Sequence, residues 1–380
     1  MKEKLIIKNF GPIRHVELEL GRFNVLIGEQ ATGKSTVAKL WIAIQNTIYR
    51  DLFDIPDEPE EDRHTRLFFE HLKLVGIHSY YNSNTEIRHI TEKFKFELKD
   101  QSVGFTEKFK VDLKGQNVSS EEKNSIKEAL SYNFNYIPSE RGLAITVSDS
   151  LFAIMQTETA LPKLFLRFGD KFLKARKEEE EFNYSSILGI NYTYRDSKDI
   201  VILPDRKEIS VHESSSGIQG AISLLTVFDY VSKKEARNNP LVIEEPELNC
   251  FPGTQNKLIK HIVKTNAVYA EARSKDYKNK ILMTTHSPYV LTSLNNLMYA
   301  YKVGITHKEE AREIVEEDYW LNPEDVSAYM MLPDGTCEDI IDPEEGLIKA
   351  GRIDAISGVL NKEFDALLNL EFAGNEPDTR

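Results

Sequence analysis

Residues 22–41 read RFNVLIGEQATGKSTVAKLW. The first six (22–27) are apolar enough for a buried, central β-strand. Beyond them, Val37, Leu40, Trp41, Ile44 and Ile48 fall on one face of a helix. Between strand and helix lies GEQATGKS (28–35), which satisfies G-x-x-x-x-G-K-[ST] in full and in the context that motif requires. The residue types follow from phosphate chemistry. Gly28 and Gly33 permit turns that aim successive backbone N–H groups at phosphate oxygens. Lys34 reaches the β- and γ-phosphates, and the Ser35 hydroxyl ligates Mg²⁺. The helix N-terminus adds its positive end. Glu29, Ala31, Thr32 and Thr36 complete a cradle for ATP and Mg²⁺.

The whole chain has 380 residues, enough for two or three lobes, and 41% of them are hydrophobic. The net charge of -13 argues against a protein coated in positive charge, although a local basic groove remains compatible with it. Cys250 and Cys337 are the only cysteines and make no metal-ligand spacing, which fits a reduced compartment. The N-terminal MKEKLIIKNFG has no apolar signal core, and no run reaches the roughly 18 apolar residues of a membrane span. The expectation is a cytoplasmic protein with no membrane contact.

Around the phosphate loop, 4–9 and 15–20 are expected to form short strands about a Gly-Pro turn. Residues 93–99 and 107–113 alternate like a hairpin about a Gly-containing link. Residues 121–131 and 148–178 have helical patterns, with Pro162 a break in the second. Further strands are expected at 186–193, 199–204, 240–245, 281–285, 297–303 and 327–332, and an amphipathic helix at 357–370. No heptad persists over several turns, so no long coiled coil is expected. The alternation reads as α/β with a largely parallel core sheet. Three parts follow: 1–50, the N-terminal β lobe and phosphate loop; 51–210, an inserted mixed lobe; and 211–380, the remainder of the core.

A phosphate loop needs an acidic partner at the end of another core strand, and LVIEE (241–245) supplies one. Glu244 would hold the Mg²⁺ shell through water, and Glu245 would orient or deprotonate the attacking water. Position 244 is more often Asp in such proteins; Glu reaches one methylene further. His286, closing ILMTT, can hydrogen-bond a γ-phosphate and sense its loss. ESSSGIQGAISLL (213–225) then poses a question. One serine suffices to cap the helix that begins there, yet Ser214, Ser215 and Ser216 stand in a row before Gly217.

The order of phosphate loop, SSSGIQG, EEPELNCFPGTQ and TTHS resembles the ABC-class ATPases, including SMC- and RecF-like proteins and OLD-like AAA-family ATPases. LIIKNFGPI (5–13) is similar to the first strand and turn of RecF- and SMC-like heads, and SSGIQ (215–219) stands where the family's LSGGQ signature would. The resemblance implies an ABC-ATPase-like head with a RecA-like core sheet, an N-terminal antiparallel β lobe and a mixed helical insertion. It implies that Ser216, Gly217 and Gln219 cap the γ-phosphate held by a second chain, giving an ATP-sandwiched homodimer that closes on binding and opens on hydrolysis. Larger assemblies are left open.

YIPSER (136–141) also resembles a segment of the smaller bacterial members. Arg141 there either reaches phosphate or the partner head, or forms a structural ion pair. Neither Gln45 nor Gln156 has the context of the family's Q-loop glutamine. The 94 residues after His286 (287–380) are too few for the last ATPase elements plus an appended nuclease. The resemblance therefore implies the ATPase subunit of an anti-phage system acting on a separate nuclease or toxin effector. The alternative is a RecF-like repair clamp binding DNA; whether DNA or RNA is bound is left open.

Overall fold

The computed structural model describes residues 3–53, 60–92, 94–107, 135–148, 161–234, 240–271 and 280–349. The chain opens with β1 (Glu3–Phe10), β2 (Ile13–Leu20) and β3 (Phe23–Gly28), then α1 (Lys34–Phe53) and α2 (Glu60–Leu74). It continues through β4 (Glu86–Ile90), β5 (Phe94–Lys99), β6 (Ser102–Glu107) and β7 (Asn135–Ile137) to the short α3 (Gly142–Thr146) and α4 (Lys163–Ala175). A small meander follows: β8 (Phe182–Tyr184), β9 (Ile190–Arg195), β10 (Lys198–Ile202) and β11 (Glu208–Ser210). Then come α5 (Ser216–Lys234), β12 (Leu241–Glu244), α6 (Pro252–Glu271) and β13 (Ile281–Thr285). The described part closes with α7 (Pro288–Gly304), α8 (Lys308–Ile314), β14 (Val326–Met331) and β15 (Cys337–Asp339).

The core sheet has the order β15-β14-β3-β13-β12-β7, parallel except for the edge strand β15. Its central strands are buried on both faces, as parallel sheets require. Alternate residues feed two cores. Leu26, Val242 and Leu282 pack with Val37, Leu40, Trp41 and Ile44 of α1. Val25, Ile243 and Met283 pack with residues of α5, α6 and α7, such as Leu225, Ile262 and Leu294. Each such side chain contributes about 1.5–3 kcal/mol by leaving water.

Two antiparallel sheets flank this core: β2-β1-β4-β5-β6 and β11-β10-β9-β8. Strands β4 to β6 lie within 51–210 of the sequence, but β4 pairs with β1 and so extends the N-terminal sheet. β7, from the same stretch, pairs with β12 at the edge of the core sheet.

The structure corrects three expectations. Residues 297–303 are the end of α7, not a strand: Ser287 Oγ caps its N-terminus by accepting from the Tyr289 N–H at 3.2 Å, and Val290, Leu294, Leu297 and Met298 recur at helical spacing into the core. The hairpin turns at Asp100–Gln101, both at positive φ, and not about Gly104, which pairs with Glu97 inside the ladder. Strand β9 begins at Ile190, because 185–188 form one helical turn ended by Gly189 in the left-handed region. The helices expected at 121–131 and 357–370 lie outside the described residues. Of 148–178, the described helix is α4, with Pro162 at its N-cap.

Candidate nucleotide site and signature helix

The registers of the parallel strands bring three chain ends together. Glu244 of β12 pairs with Thr284 of β13, and Thr285 pairs with Ile27 of β3. Gly28, which ends β3, and Glu245 and His286, just past β12 and β13, therefore lie together at adjacent strand ends, the place where open α/β sheets bind ligands.

The loop after β3 is held in an unusual backbone. Gly33 has φ +94, a conformation that L side chains rarely adopt, and a Cβ there would also meet Ile13 Cδ1 of the β1–β2 turn at 2.4 Å, so the position favours glycine. Thr32 Oγ1 donates to Glu29 O at 2.8 Å, and the Val37 N–H donates to Gly33 O to start α1. Lys34 Nζ donates to Gly28 O at 2.8 Å and Glu29 O at 2.6 Å, so the ammonium lies within the loop, 5% exposed. Burial draws its pKa down to about 8, against the opposing pull of the Glu245 and Glu247 charges. Ser35 is exposed on the first turn of α1, while Thr36 is buried.

Glu244 is 5% exposed, and its Oε1 meets no donor at hydrogen-bonding geometry. A buried carboxylate oxygen left in this state is suited to a cation or its water shell. Tyr136 stands beside it; burial, and then the Glu244 charge, push that phenol well above its ordinary pKa. With the Ser35 hydroxyl on α1, which packs on β12, the residues present fit a Mg²⁺ held largely by phosphates and water.

Glu245 follows with φ +43, a conformation that turns the chain out of the strand. Its N–H donates to Thr284 O, and its carboxylate Oε1 lies 3.5 Å from His286 Nε2. Burial raises the Glu245 pKa; the His286 and Lys34 charges lower it, and Glu247 and Glu244 raise it further. Glu247, not singled out in the sequence, organises this corner. Its Oε1 accepts from Thr285 Oγ1 at 2.7 Å and from the His286 N–H at 2.9 Å. The signal for it was a third acid, three residues past the end of β12, within the EEPELNCFPGTQ stretch.

The three serines divide their labour. Ser214 Oγ donates to Val211 O at 2.6 Å, and Ser215 Oγ accepts from the Ile218 N–H at 3.4 Å as the cap of α5. Ser216 opens the helix and is exposed. Gly217 lies against the turn after Glu245: a Cβ there would sit 2.3 Å from Asn249 O. Gln219 spends its side chain within its own chain. Nε2 donates to Val211 O and Ser214 O, and Oε1 accepts from Thr146 Oγ1 at 3.0 Å. Among the described residues no hydrogen bond or ion pair joins 214–219 to 28–36. The structure thus gathers the phosphate loop, Glu244, Glu245 and His286, and sets the signature residues apart from that loop.

Arg141 is 1% exposed and forms no ion pair within 4 Å among the described residues; it donates to backbone carbonyls of its own chain. Gln45 is buried in α1, and Gln156 lies outside the described residues.

Among solved structures, the chain is similar to an SMC head bound to the C-terminal winged-helix domain of ScpA (9% identity, 90% of this chain and 99% of that one, TM-score 0.46). The SMC head domain from Thermotoga maritima is 11% identical over 90% of this chain and 98% of that one, with TM-score 0.42. The Pyrococcus furiosus SMC head with an extended coiled coil, bound to the C-terminal domain of ScpA, is 10% identical over 89% and 95%, with TM-score 0.41. No curated protein matches the chain. No helix among the described residues is long and apolar enough to cross a membrane. The AAA ATPase domain family matches over residues 1–187 and 82–291, so that most of the chain, phosphate loop and acidic strand included, is covered; the chain belongs to the AAA ATPase domain family.

Proposed function

We propose that this chain hydrolyses ATP as a two-chain, ATP-gated switch and that its closed form controls a separate effector protein, in an anti-phage system. The observation that carries this reading is Ser216 at the exposed start of a 19-residue helix, with no bond to its own phosphate loop. A helix start with a free hydroxyl is an anion site, and a second copy's γ-phosphate is the anion that would use it. Exposed apolar side chains support the same face: Phe251 is 80% exposed, and Leu248, Leu143 and Tyr289 are also exposed. Leu248 and Phe251 flank Asn249, which touches Gly217; Leu143 lies on α3, which packs on α5; Tyr289 follows His286.

Lys34 would exchange the carbonyls of Gly28 and Glu29 for phosphate oxygens. Ser35 and Glu244 would hold Mg²⁺, which supplies neutralising charge to the phosphates. Glu245 would take the proton of the attacking water, with His286 beside it to register the phosphate. A protein effector is favoured over bulk nucleic acid by the net charge of -13 and by the exposed apolar residues.

A mixing experiment tests the reading. Lys34→Ala removes one half of a composite site and Ser216→Arg the other, so each alone is inactive. Mixed in equal amounts, they form one intact site per hybrid and regain a fraction of wild-type turnover. Persistent inactivity of the mixture, with both proteins folded, would count against a shared site.

A further inference from the structure

We infer that Arg141 is a positioning residue that couples, within one chain, the acids of its own nucleotide site to the signature helix it presents to a partner; this rests on the two-chain reading above. The guanidinium is held entirely by carbonyls from three segments. Nη1 donates to Glu244 O at 2.8 Å and Pro138 O at 3.2 Å, Nη2 to Glu245 O at 2.7 Å, and Nε to Gly220 O at 3.3 Å. Glu244 ends β12 and Glu245 follows it, Pro138 follows β7, and Gly220 is in the second turn of α5.

A buried charge is expensive unless well satisfied. Burial lowers the Arg141 pKa, and the titratable groups around it, the Glu247, Glu245 and Glu244 carboxylates among them, oppose that shift without forming an ion pair with it. An apolar side chain would fill the space but leave these carbonyls without their donor, and what a guanidinium adds beyond satisfying them is geometry. Its planar, forked donors fix several acceptors at set angles, which an ammonium cannot do. What is fixed here is the peptide on either side of Glu245, the residue at φ +43. Arg141 therefore sets the direction in which the Glu245 carboxylate points.

The same side chain grips α5 one turn beyond Ser216. Two further contacts keep that link short. Gly142, next to Arg141, packs on Gly220 at ordinary van der Waals distance, a Cβ there lying 3.8 Å from its backbone, and Gly217 abuts Asn249 O four residues past Glu245. A change at Glu245 when phosphate is bound or lost thus reaches the start of α5 through one rigid fork, as discrete coupling requires.

Arg141→Lys is the test, with Arg141→Met as a harsher companion. In Arg141→Lys we expect the melting temperature to fall, because buried carbonyls lose donors, while the folded protein keeps a KM for ATP near wild type and kcat falls by about tenfold or more, the pattern of a lost transition-state interaction. Hydrogen exchange with Mg·ADP, which should not close a dimer, isolates the internal link. In wild type, ADP should slow exchange in both 244–249 and 216–224; in Arg141→Lys, only in 244–249. The inference is overturned if kcat changes by less than about twofold, if kcat falls only together with a raised KM, or if ADP protects 216–224 equally in both proteins. These outcomes are read in the ADP state and at one chain's own site. A protein that never dimerises with ATP would sink the two-chain reading without deciding this one.

Discussion

His286 is tied to the acidic turn at both ends: its ring nitrogen Nε2 lies 3.5 Å from Glu245 Oε1, and its backbone N–H donates to Glu247 at 2.9 Å. One acid therefore faces the imidazole while the next fixes its peptide. If Glu245 is the base of the reaction proposed above, its protonation is the variable that turnover follows.

A base must be ionised, so turnover should fall as pH drops through the raised pKa of Glu245. That acid limb should lie above the ordinary carboxylate range. The His286 charge lowers the Glu245 pKa and the Glu247 charge raises it. His286→Ala should therefore move the limb to higher pH, and Glu247→Gln should move it to lower pH. Profiles of kcat for the three proteins check both signs; shifts in the same direction would refute the assignment.

Glu245→Gln should reduce turnover by about 10²–10⁴-fold while ATP binding persists. The mutation should also raise stability near neutral pH. A carboxylate whose folded pKa is raised contributes most when protonated, and that contribution is lost as pH rises through the folded pKa. Thermal melts at pH 7.5 and pH 5 should show a larger advantage of the variant at the higher pH.

Lys34 offers a binding signature. In the folded protein it titrates near 8, against 10.5 ordinarily, chiefly because it is buried. Phosphate charge beside it should restore the higher value. At pH 8, where it is half protonated, ATP binding should draw in about half a proton at this site, and less at pH 7. Calorimetry in two buffers of different ionisation enthalpy measures that uptake. Identical heats in both buffers at pH 8 would contradict the buried ammonium.

Gly217→Ala places a methyl 2.3 Å from Asn249 O, where neither backbone can yield cheaply. The cost should be about 1–3 kcal/mol of stability by denaturant melts. Affinity of the isolated chain for ADP should stay near wild type, because 214–219 do not bond to 28–36. A proportional loss of ADP affinity would mean that the serine-led turn serves its own loop.

Much of this site was legible in the sequence. GEQATGKS declared itself because backbone geometry and phosphate chemistry admit few residues, and LVIEE and TTHS because buried strands end abruptly in polar groups. Less visible was how α3 and Arg141 bind the pieces together. A buried arginine that bonds only carbonyls leaves no partner residue to find, since any amino acid supplies a carbonyl. Glu247 was hidden for a related reason: its partners are a threonine hydroxyl and a peptide N–H. The missed strand at 297–303 failed because LMYAYKV satisfies either period, and only the Ser287–Pro288 cap upstream decides for helix. Gln219 shows the opposite limit. The signature order drew it toward nucleotide, yet its amide braces Val211, Ser214 and Thr146.

The most direct test is the solution mass of Glu245→Gln with and without ATP and Mg²⁺. The account predicts one chain without nucleotide and two with it, and one chain in both conditions when Ser216→Arg is added. A mass indifferent to ATP would contradict the shared site and return Ser214–Ser216 to the capping of a helix.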